Sequence, residues 1–99
     1  MDKGLDSLVK DIRKAYKGAS IYLFGSRARG DYRQDSDYDL IVVSSKFGKT
    51  DFVDRAAGIW RATDAAIGAD ILCYTPGEFR RISKTSVVVR DAMKHAIAL

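Results

Sequence analysis

The sequence predicts an α/β (α+β) fold, a small mixed sheet of three strands or slightly more packed with helices. Apolar residues at helical spacing over residues 5–16 and 52–67 alternate with short apolar runs over 21–24, 38–43 and 69–74. Glycine or polar clusters bound each run. At 99 residues the chain reads as one domain, 1–99, that buries about two-thirds of its unfolded surface and has no room for a separate substrate-binding domain. A second substrate is therefore expected to dock from outside.

Hydrophobic content of 46% with 30% charged residues argues against disorder. With no apolar run near membrane-span length and no signal-peptide pattern at the N-terminus, the expectation is a cytoplasmic protein without membrane contact. Single Cys73 and single His95 exclude an internal disulfide and a cysteine- or histidine-based metal cluster. A net charge of +4 favours anionic partners only weakly, because the basic residues are scattered; this argues against direct nucleic-acid binding.

In chain order, Leu5, Leu8, Val9, Ile12, Ala15 and Tyr16 predict an amphipathic helix stopped by Gly18. Ile21 to Phe24 predicts an interior strand. It breaks at Gly25-Ser26, and SRARG predicts a short helix closed by Gly30. After the polar segment DYRQDS, a second strand runs from Tyr38 to about Val43. Thr50 is the expected N-cap of a helix carrying Phe52, Val53, Ala56, Ile59, Trp60, Thr63 and Ile67 inward and ending near Gly68. A third strand spans Ala69 to Tyr74, with Cys73 as a small buried hydrophobe, and Thr75-Pro76-Gly77-Glu78 signals a capping box. From Ser86 the apolar spacing predicts helix through Leu99, with His95 on the surface near its C-terminus.

Asp37 and Asp39 are two apart at the start of the second strand, so they project from one face, roughly 6–7 Å apart. Two carboxylates on one face repel, and a cation between them, most simply Mg²⁺, explains the pair better than packing does. Gly25 allows close backbone approach, and a helix starting there aims N–H groups, with the Ser26 hydroxyl, at an anion. Asp70 opens the third strand. Convergence of the three requires that strand to neighbour the second, in an antiparallel or offset pairing. They could then hold two Mg²⁺ ions about 3.5–4 Å apart, as in-line phosphoryl displacement uses, with Asp70 helping to accept a proton.

Gly25-Ser26, ten intervening residues and Asp37-Tyr38-Asp39, with a third aspartate on a later strand, resemble the GS-x10-DxD signature of the minimal nucleotidyltransferases of the DNA polymerase β-like superfamily. Gly30, Ser36 and Leu40 also agree with that pattern. The resemblance implies a polymerase β-like palm fold and transfer of AMP from ATP, with two Mg²⁺ ions on Asp37, Asp39 and Asp70. It places the phosphates against Gly25, Ser26 and Ser36. Arg27 and Arg29 are either triphosphate partners or solvated helix surface. Members of this size are associated with antitoxins that modify a tyrosine on a HEPN-domain toxin, which implies a hetero-oligomer with that partner. The alternative is a non-catalytic module that neutralises such a partner by complex formation.

Overall fold

The computed structural model describes residues 2–31, 33 and 37–99. Helix α1 (Lys3–Ala15) begins where the Asp2 carboxylate accepts from the Gly4 and Leu5 amides, at 2.6 and 3.3 Å. Its stripe of Leu5, Leu8 and Ile12 is buried on the sheet. Strand β1 (Ser20–Phe24) runs directly into the short helix α2 (Gly25–Arg29), which closes on Gly30 at φ 86°. Strand β2 is Tyr38–Val43, and strand β3 is Ala69–Tyr74.

The sheet order is β3-β2-β1-β4. Leu40, Ile41, Val42 and Val43 of β2 are all buried because this inner strand is covered on both faces. On one face Tyr38, Leu40 and Val42 pack with Ile21, Leu23, Ile71 and Cys73 under α1 and helix α3 (Phe52–Arg61). On the other, Ile41, Val43 and Tyr74 meet Phe79 of helix α4 (Pro76–Thr85) and Met93 of helix α5 (Val87–Lys94). No helix among the described residues is long and apolar enough to cross a membrane.

The structure departs from the sequence pattern in four places. First, β3 neighbours β2 as convergence required, yet the pair is parallel and in register, with Asp39 opposite Asp70. Second, α3 stops at Arg61, six residues before Ile67. There Thr63 Oγ1 donates to Asp11 at 2.7 Å and accepts from the Ala65 amide at 3.1 Å, a local alternative to continued helix.

Third, Thr50 does not cap α3. It closes a 3-10 turn, Ser45–Lys49, and its carbonyl accepts from Arg55; Phe52 and Val53 face outward while Arg55 and Ile59 are buried. Fourth, the chain leaves helix after Lys94 and forms strand β4 (Ile97–Ala98), antiparallel to β1 with Leu23 opposite Ile97. The free edge of β1 supplies hydrogen bonds that two more helical residues would lack, including Leu99 N–H to Ile21 O at 2.9 Å. The capping box is present in full, with Thr75 and Glu78 exchanging backbone bonds at 2.8 and 3.2 Å.

Candidate active site

β1 ends, and β2 and β3 begin, at the same end of the sheet. Phe24 stands opposite Asp39, and Asp39 opposite Asp70. Strand alternation puts Asp39 on the face of Ile41 and Val43, and the parallel register puts Asp70 on that face too. Asp37, two residues earlier, lies at the mouth of the same face. All three expected carboxylates thus gather on the α4–α5 side, with Asp37 and Asp70 exposed and Asp39 half-buried.

Their charges act on one another. Burial, then the charges of Asp70 and Asp37, push the Asp39 carboxyl above the ordinary aspartate range; Arg29 pulls it back in part. Oxygen donors of one charge on one face fit a divalent cation. Among the described residues no three acidic, cysteine or histidine side chains are drawn into a ligand cluster. The fit therefore lies in the chemistry of the donors and the face they share, not in a formed ligand cluster.

Two glycines make room for this group. Gly25 has φ +72°, and a Cβ there would collide with Asp39 Oδ2. A Cβ on Gly68 would collide with Asp37 Oδ1, while the Gly68 carbonyl accepts from the Tyr38 amide at 3.0 Å. The sequence marks Gly68 only as a helix stop, because a contact between strands leaves no trace in local spacing.

The two arginines of α2 part company. Arg27 lies over the Tyr38 ring, 4.3 Å from its centroid, and donates to the Tyr38 hydroxyl at 3.4 Å. Tyr38 in turn donates to Asp2 Oδ2 at 3.2 Å. Hydrogen bonds from Gly4 and Leu5, then from Tyr38, hold Asp2 below its usual carboxyl range. Arg27 is thus engaged on the face opposite the carboxylates. Arg29 is exposed, pairs with Asp31 at 3.4 Å and acts on Asp39. Ser26 is the half-buried second residue of α2, and Ser36 lies outside the described residues.

Beside Gly25 a cleft of about 580 Å³ opens between α2 and α5, lined by Phe24, Gly25, Arg29, Val88, Asp91, Ala92, Lys94 and His95. A smaller apolar groove involving Phe52 and Tyr74 lies at the far end of β3 from Asp70, away from this chemistry.

One sheet end thus sets three carboxylates beside a glycine-opened turn. The chain belongs to the nucleotidyltransferase domain family, whose pattern matches it over residues 5–99. It is 40% identical over 53 residues to a candidate protein adenylyltransferase of Methanocaldococcus jannaschii, a match covering 52% of this chain and 49% of that protein. The chain thus matches about half the length of that relative. The crystal structure of a candidate nucleotidyltransferase from Sulfolobus solfataricus is similar at a TM-score of 0.68 and 25% identity, over 97% of this chain and 76% of that one.

Proposed function

We propose that this protein moves AMP from ATP to a hydroxyl on a partner protein, a tyrosine of a HEPN-domain toxin, and so acts as its antitoxin. The observation that carries the reading is the Asp39–Asp70 register beside Gly25, which sets the carboxylates and the glycine turn at one sheet end. The similarity to a candidate protein adenylyltransferase supports a protein acceptor.

In this reading Asp37 and Asp39 would hold Mg²⁺, which when bound would offset their repulsion and supply Lewis-acid polarisation of the α-phosphate. Asp70 is exposed on β3, an edge strand, where an acceptor hydroxyl can approach and pass its proton. The acceptor oxygen bonds to the α-phosphorus, the bond to the β-phosphate bridging oxygen breaks, and pyrophosphate leaves with the electron pair.

The test incubates the protein with ATP, Mg²⁺ and its HEPN partner. Mass spectrometry is expected to show one added AMP with wild type and none with Asp37→Asn/Asp39→Asn. Neutralisation that survives the double substitution would instead assign the protein to binding alone. Absence of the adduct while the wild-type pair binds would overturn transfer to that partner.

A further inference from the structure

We infer that the groove between the start of α3 and α4 is a contact surface for a second copy of this chain, each copy setting the tip of α3 against the α4 wall of the other about a two-fold axis. The inference stands apart from the transfer reading and rests on what this end of the molecule exposes. Phe52 and Val53, in the first turn of α3, are 48% and 84% exposed. Apolar surface left in water is a cost that burial against a partner removes. The Phe52 ring lies 5.6 Å from the Tyr74 ring and forms one wall of a groove of about 380 Å³. Glu78, Arg81, Ile82 and Thr85 recur at helical spacing along α4 and form the other.

Charge selects the occupant. On the α4 wall Glu78 is bonded to Arg55 at 2.6 Å, which leaves exposed Arg81 as the unmatched charge. On the other side exposed Asp51 and Asp54 flank Phe52 and Val53. Asp51 stands at the N-cap of α3, yet its side chain accepts no capping hydrogen bond. Among the described residues none of Asp51, Asp54 and Arg81 joins an ion pair. The face thus has an acidic side, an apolar middle and a basic side. A two-fold axis through the middle turns the acidic side of each copy onto the basic side of the other, which is what a self-complementary contact requires. A partner of one charge sign would meet like charge on one of the two sides. Asp70 opens the other end of β3, roughly 13 Å along the strand from Tyr74, so the carboxylate ends of both copies stay clear of the contact.

Sedimentation velocity of the protein alone, from about 1 µM to about 1 mM, reads the association. Wild type is expected to pass from monomer to dimer over this range, and at higher concentration as salt is raised. Arg81→Glu and Asp51→Lys/Asp54→Lys, all at exposed positions, set like charge against like and are each expected to raise the dimer dissociation constant by about tenfold or more. An equimolar mixture of these two variants restores both charge pairs in the swapped sense and is expected to form dimers again. Circular-dichroism melts establish that each variant folds; if the lysine variant does not, Asp51→Asn/Asp54→Asn takes its place and is expected to weaken the dimer. A wild type that stays monomeric overturns the inference, and so does a dimer that ignores Arg81→Glu, or a mixture of folded variants that does not re-form it. A monomeric wild type that loses its HEPN partner on Arg81→Glu would give the groove to that partner and overturn the inference equally.

Discussion

Asp39 and Asp70 face each other directly across the parallel β2–β3 pair, and their mutual charge, after burial, holds the Asp39 carboxyl above its ordinary range. The site thus carries an electrostatic cost in the absence of a cation. A carboxyl whose folded pKa is raised binds its proton more tightly in the fold. Its contribution therefore falls as pH rises from the unfolded value of 3.8 through the raised one, and is lowest above it. Asp39→Asn is expected to raise Tm at neutral pH and to flatten its acid-side pH dependence, while abolishing transfer. Thermal melts from pH 3 to pH 8 check this, and an unchanged or lower Tm at neutral pH contradicts it.

Gly25 and Gly30 both have positive φ, but only Gly25 lies against Asp39. Each alanine substitution should cost about 1–2 kcal/mol of backbone strain. Gly25→Ala should also displace the Asp39 carboxylate and lower transfer by about tenfold or more, whereas Gly30→Ala, whose Cβ would meet none of the described residues within 4 Å, should keep transfer. Denaturant melts paired with AMP-incorporation rates separate the two effects.

Tyr38 lies between the two aspartates in sequence and points the other way, bridging Arg27 and Asp2. Tyr38→Phe keeps the ring under Arg27 and is expected to cost about 0.5–1.5 kcal/mol for the lost hydrogen bonds. Tyr38→Ala removes a ring that is only 8% exposed and should cost about 3–5 kcal/mol. Urea titration measures both; equal losses would mean that the ring itself contributes nothing.

Among the described residues Arg55 is the buried cation, bonded to Glu78 at 2.6 Å and to the Thr50 and Cys73 carbonyls at 2.9 and 3.2 Å. Arg55→Ala leaves the Thr50 and Cys73 carbonyls without that partner, while the part-exposed Glu78 is solvated, and should cost about 1–3 kcal/mol. The Arg55 hydrogen bond, then that of the Thr75 amide, brings the Glu78 carboxyl down to about 2 from 4.5. A lowered folded pKa gives stability that is present above the unfolded value and lost as pH falls from 4.5 toward 2. Glu78→Gln should remove that acid-side loss, as melts over this range will show.

The sequence by itself determined the three main strands, the helix after β1, the capping box at Thr75 and the candidate carboxylates, because each is written in local spacing, turn chemistry or charge. Gly25 was legible as a turn residue, and Cys73 and His95 fell where pattern placed them, buried and at a helix end. Tertiary structure alone decided the parallel register that sets Asp70 opposite Asp39, since strand pairing depends on a partner far along the chain. It also decided that Gly68 clears space for Asp37, that Arg27 stacks on Tyr38, that Arg55 is buried and Phe52 exposed, and that the last residues pair with β1. The physical reason is common to these cases. Periodicity reports which face of an element is apolar, but which neighbour satisfies a strand edge, a buried cation or a carboxylate is settled only when distant segments meet.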